Sequence, residues 1–169
     1  MSIPTFKDNW PAPNEYLLEL GRVTTLWGTL ESSVNIAISK LAGYEAALDY
    51  RAVIMVASSN FQQKIDIISA LSEKLAPQYP NIKNYKSVIA KLQSAQKARN
   101  KYAHNAITTD QETGKVMLSF ASSRGGSLKT TVEEVKLHSI KEVTVKIHEA
   151  MCALHTLVTG KEIRPIWER

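Results

Sequence analysis

A single cysteine, Cys152, stands in 169 residues. That excludes an internal disulfide framework and suits a reducing compartment. No apolar run approaches the roughly 18 residues that a membrane helix needs, so no membrane contact is expected. The first residues, Met-Ser-Ile-Pro-Thr-Phe-Lys-Asp, lack the basic-then-apolar build of a signal peptide. The expected location is the cytoplasm. Histidines are few, and His138, His148 and His155 show no metal-ligand spacing, so neither a zinc site nor any other cofactor is expected. Gly125-Gly126 has no phosphate-loop or dinucleotide fingerprint around it and reads as a loop hinge. Runs of like charge are also missing. The net charge of +5 and the pI of 9.3 therefore permit an anionic partner such as RNA without requiring one.

The hydrophobic fraction of 44% and the charged fraction of 22% are those of an ordinary globular domain with a real core. Residues 1–13 read as an N-terminal arm, with Pro4, Pro11 and Pro13 around Trp10. Asn14 then opens a helical pattern through Leu41, striped by Leu17, Leu20, Thr24, Trp27, Leu30, Val34, Ile38 and Leu41 and capped by Gly43. Gly21 and Gly28 on that helix offer a close approach to a neighbouring helix. Residues 44–57 predict a second helix. Asn60 with Gln63 forms a capping box for a third, which ends before Pro77. A fourth helix begins near Pro80 and Asn81. After it, Asp-Gln-Glu-Thr-Gly reads as a turn feeding the alternating Val116, Leu118 and Phe120, so a hairpin is expected. Residues 122–127 read as a flexible loop, and 128–137 as a further short strand. Ser139 with Glu142 is a capping box for the last helix, which Gly160 ends; residues 161–169 form a tail packed by Pro165 and Trp167. The fold class is mainly α: an up-and-down bundle of four to five helices over residues 14–160, with a small β insertion at about 106–137 before the last helix.

The fourth helix carries the chemistry. Its apolar stripe runs Tyr85, Val88, Leu92, Ala95, Arg99, Tyr102 at three- and four-residue steps. Arg99 stands where an aliphatic side chain belongs. A guanidinium on that line must be paired or must open onto a cleft or interface, since burial alone costs several kcal/mol. Glu31 is the second charge on an apolar stripe, so an Arg99–Glu31 ion pair is one expectation. Such a glutamate would hold the arginine in place. Tyr102 is read as core or interface.

Five residues beyond Arg99 stands His104. On a regular helix that separation is about 140° and roughly 7.5 Å, so the two meet only if the helix ends near Ala103. Asn100 and His104, four apart, share a face, and a helix C-terminus favours a protonated imidazole. An arginine beside a histidine suits phosphodiester cleavage. The histidine moves a proton on or off an oxygen, and the arginine stabilises charge on the phosphorane. Asn100 orients either one, and no metal is required.

Arg99-Asn100-Lys101-Tyr102-Ala103-His104 resembles the Arg-polar-x3–5-His signature of the HEPN superfamily, helical bundles of prokaryotic toxins and antiviral ribonucleases. The order of elements is also similar, with the motif closing a late long helix before one further helix. The resemblance implies metal-independent endoribonuclease activity on single-stranded RNA in a homodimer whose paired motifs line one cleft, leaving 2′,3′-cyclic phosphate ends. Catalytic roles then fall to Arg99, Asn100 and His104, with Glu31 and Tyr102 supporting. Some members lack catalysis, so the alternative is an interaction module paired with an antitoxin of nucleotidyltransferase type or another regulator, in a toxin–antitoxin or defence setting. A third reading is an RNA- or nucleotide-binding helical domain without turnover.

Overall fold

The computed structural model describes residues 5–46, 49–124 and 127–169. They form a mainly helical structure with a three-stranded antiparallel sheet before the last helix. The elements are α1 (Asn14–Leu41), α2 (Tyr50–Val56), α3 (Phe61–Leu75), α4 (Tyr85–Ala103), β1 (Ala106–Thr109), β2 (Val116–Arg124), β3 (Ser127–Glu134) and α5 (Leu137–Thr159). Two 3₁₀ turns, Pro80–Ile82 and Ile166–Glu168, complete them.

The four long helices share one core. α5 packs against α1 and α4, and α3 packs against the same two helices. Each contributes the apolar line that its periodicity dictates: Trp27, Leu30 and Val34 from α1; Ile65 and Ile68 from α3; Val88, Leu92 and Ala95 from α4; Ile140, Ile147 and Leu154 from α5. On α1 the line passes through Val23 rather than Thr24, which is exposed. Among the described residues, no atom outside the local helix backbone lies within 4 Å of where a Cβ would stand on Gly21 or Gly28, so neither serves a close helix–helix contact there. The buried charge on α1 is Glu19, 5% exposed, held by Arg22 at 2.6 Å.

Several boundaries differ from the expectation, each for a local reason. α2 is shorter than 44–57: it begins after Asp49, whose carboxylate accepts the Arg51 N–H at 2.9 Å as an N-cap and grips the Arg51 side chain at 2.8 Å. That guanidinium holds the Asp49 carboxyl down at about 2. The third helix keeps its expected reciprocal cap, with Asn60 Oδ1 accepting from Gln63 N–H at 3.0 Å and Gln63 Oε1 accepting from Asn60 N–H at 2.8 Å. α4 starts at Tyr85, because Pro80–Ile82 takes a 3₁₀ turn first. The last helix starts at Leu137, two residues ahead of Ser139, and has no side-chain cap. Gly160 closes it at φ 69, a left-handed conformation that costs glycine little.

The expected 122–127 loop is mostly strand. Ser122 pairs with Lys129 and Arg124 with Ser127, so the β2–β3 ladder runs to the tip; Gly125 and Gly126 lie outside the described residues. β1, too short to stand out in the sequence, pairs Ile107 with Leu118. Asn9, Pro11 and Ala12 of the arm are held against the fold. Pro11 O accepts from Thr109 N–H at 3.1 Å, Ala12 is fully buried, and Asn9 and Asn14 exchange backbone-to-side-chain bonds at 3.1 and 3.0 Å.

The tail folds back onto α5. His148 Nε2 accepts the Ile166 N–H at 3.0 Å, and the Trp167 ring lies 5.0 Å from the imidazole. Burial, and then the Arg169 charge, push His148 below its ordinary value. The folded chain thus binds this proton less readily than the unfolded one. The stabilisation from the neutral ring is complete above the ordinary histidine range and is lost as pH falls through it. Protonation also removes the acceptor. Lowering pH from about 8 to about 5 should therefore loosen the tail, read as a change in Trp167 fluorescence after subtracting a Trp167→Phe control. A His148→Gln variant, which keeps an acceptor without titrating, should flatten that change; an identical pH response in the variant would contradict it.

Candidate active site

α4 ends where the motif needs it to end. Ala103 is its last residue, and His104 leaves the helix at φ −120, ψ 7. Asn105 makes the stop local: its Nδ2 donates to the Lys101 carbonyl at 2.7 Å, satisfying one of the orphan acceptors of the last turn. The chain then enters β1 directly, and β3 fastens the helix end from the side. Lys101 Nζ lies 2.5 Å from Glu133, which raises the lysine above its usual value.

This termination swings His104 off the helical path and brings it to Arg99. Arg99 Nη1 lies 3.4 Å from His104 Nε2 and donates to Asn100 Oδ1 at 3.3 Å. Guanidinium has only donors, so the first contact is a hydrogen bond when Nε2 presents its lone pair. Both contacts are long and leave the guanidinium free to turn toward an incoming anion. Of the two partners that Asn100 could orient, it bonds to Arg99.

Arg99 is half-buried, and its contacts with Asn100 and His104 lie at the exposed surface. The expected pairing with Glu31 is not made: among the described residues no ion pair joins the two. Glu31 is half-buried on α1 and joins no salt bridge among those residues. The arginine instead lies over the Trp27 ring, with Cζ 5.1 Å from the centroid. Trp27 packs in turn on Phe61, the first residue of α3, at 4.4 Å. An aromatic face attracts the cation without neutralising it, so the positive charge remains available for a phosphate. Trp27 is the site residue that periodicity alone does not reveal: it reads as core on α1, and only packing shows which helix end it underlies.

Tyr102 is buried in the core, and burial raises its phenol so that the proton stays on. It belongs to the α4–α5 side and supports the helix rather than the Arg99–His104 pair. On the opposite flank, Asn100 lines a shallow depression with Gln62, Gln93, Gln96 and Lys97. Among the described residues no group of three or more histidine, cysteine or acidic side chains could hold a metal ion, and no helix is long and apolar enough to cross a membrane. Cys152 is buried beside His148, with burial raising its thiol, which suits an apolar filler better than a nucleophile.

Chemically, the cluster offers one movable proton site, one fixed positive charge and one orienting amide within reach of a single phosphodiester. Compared with protein-family models, with curated proteins and with solved structures, the chain finds no significant match in any of the three.

Proposed function

We propose that this chain is a metal-independent endoribonuclease of HEPN type, an up-and-down helical bundle acting on single-stranded RNA in the cytoplasm as a homodimer. The observation that carries the reading is the exposed contact of the half-buried Arg99 with His104, Nη1 to Nε2 3.4 Å, at the end of α4. In the reaction, an imidazole takes the proton of a ribose 2′-hydroxyl. The 2′-oxygen then bonds to the adjacent phosphorus. Arg99 stabilises the negative charge that accumulates on the non-bridging oxygens. The phosphorus–5′-oxygen bond breaks, and the departing oxygen receives a proton from a second imidazole, supplied by His104 of a second copy. The products are a 2′,3′-cyclic phosphate and a 5′-hydroxyl, and proton exchange with water resets both rings. Asn100 keeps the guanidinium aimed.

The test is to incubate the purified chain with a single-stranded RNA in excess chelator and to identify the new ends. Cyclic phosphate and 5′-hydroxyl ends are the expected result. Intact RNA, or 5′-phosphate ends, would overturn the reading.

One observation favours the second reading, a non-catalytic interaction module serving an antitoxin or other regulator. α2 exposes Tyr50 at 72%, Ile54 at 69% and Met55 at 62%, an apolar face of the kind found at protein contacts. That module predicts a stable complex with such a partner and no cleavage of RNA by the wild type.

A further inference from the structure

The same helix end borders a second depression that the proposed reaction does not use. It is a groove of about 520 Å³ between α4 and α5, lined by Ser94, Lys97, Lys101 and Tyr102 on one wall and by Ser139, Glu142, Val143 and Lys146 on the other. Three lysines face one carboxylate there. In the depression under the tail, by contrast, Lys91 faces Glu149, Glu162 and Glu168. Lys97 and Lys146 are exposed and join no salt bridge among the described residues. Lys101 is engaged by Glu133, but both side chains of that pair are well exposed, and such surface pairs are weak enough for a phosphate to displace. Glu142, the one acidic lining residue, lies 3.3 Å from His138. Ser94 and Ser139 add hydroxyl groups to the lining.

Lys97 stands between the groove and the candidate site. It lines this groove and also the shallow depression that holds Asn100, and Asn100 bonds to Arg99. Lys97 and Lys101 are one helical turn apart, about 6 Å along the axis. A strand leaving Arg99 past Asn100 would cross α4 at Lys97 to reach the Lys101–Lys146 walls.

We infer that the α4–α5 groove binds the sugar–phosphate backbone of the RNA strand on one side of the scissile bond, gripping non-scissile phosphates through Lys97 and Lys146. The inference rests on the ribonuclease reading for the ligand, and it adds where the strand runs and which side chains hold it. Backbone phosphates fit better than a compact anion because the cationic groups are spread along a trough and no single point gathers them. Recognition of this kind follows strand charge and not base identity.

The experiment separates this inference from the catalytic one. Binding of a fluorescein-labelled 12-nucleotide single-stranded RNA is measured in a His104→Ala background, across salt concentrations and in chelator. Lys97→Glu/Lys146→Glu should weaken binding at least tenfold at moderate salt and make the log–log salt slope shallower by about 1.4, at roughly 0.7 per lost phosphate contact. The charge-matched control Lys83→Glu/Lys86→Glu, around the start of α4, should change the slope much less. Lys97→Gln/Lys146→Gln should produce the same direction with a smaller loss. An unchanged slope in the groove variants, an equal effect in the control, or no RNA binding by the parent protein would overturn the groove assignment. If the groove variants behave as expected while the wild type cleaves nothing, the catalytic reading fails and the groove stands.

Discussion

Replacing Trp27 by alanine is expected to lower stability by about 3–5 kcal/mol, the usual range for deleting a buried large aromatic. For a chain of this size that corresponds to a fall in Tm of roughly 6–20 °C. The indole fills the junction of α1, α3 and α4, touching Phe61 below and carrying Arg99 above. Its loss leaves a cavity and removes the floor on which the guanidinium rests. Trp27→Phe keeps a ring in that position and should recover most of the stability. Thermal unfolding of the three proteins checks this directly. A Trp27→Ala protein as stable as the wild type would mean that the helices do not converge on this ring.

His104→Ala should behave in the opposite way, with a large effect on turnover and little on the fold. The side chain is exposed and follows the last helical residue, so a change within about 0.5 kcal/mol is expected. On the proposed mechanism, loss of the imidazole should slow cleavage by about 10²- to 10⁴-fold. Single-turnover cleavage under chelator, with circular dichroism as the fold control, measures both quantities.

Much of the helical frame was legible because burial dictates it. Leu92, Ala95 and Ile147 lie where a 3.6-residue period places them, and the Asn60–Gln63 box forms because both side chains find backbone partners at that spacing. The errors fall where local composition competes with pairing. Ser122 to Arg124 read as loop by composition, yet their backbone groups find partners on β3. β1 spans four residues, too few to show alternation, and gains its identity from β2.

At the candidate site, the anomaly of Arg99 on an apolar line was visible from spacing alone, and so was the requirement that α4 stop before His104. The partner of the guanidinium was not. Periodicity places Trp27 and Glu31 on the same face of α1, one turn apart, and cannot say which of them meets α4. Helix packing selects the indole, because an aromatic face tolerates a half-buried cation whereas a carboxylate there needs its own solvation. The sheet's hold on α4 through Lys101 and Glu133 is likewise a long-range contact with no local pattern.

The central claim is that Arg99 and His104 act on one phosphodiester as a unit. A double-mutant cycle on single-turnover RNA cleavage in chelator, using Arg99→Ala, His104→Ala and the double variant, tests it most directly. Groups that act together give strongly non-additive losses: each single variant should fall by about 100-fold or more, with the double variant within a few fold of the slower single. Either single variant cleaving at the wild-type rate, or losses that simply multiply, would contradict it.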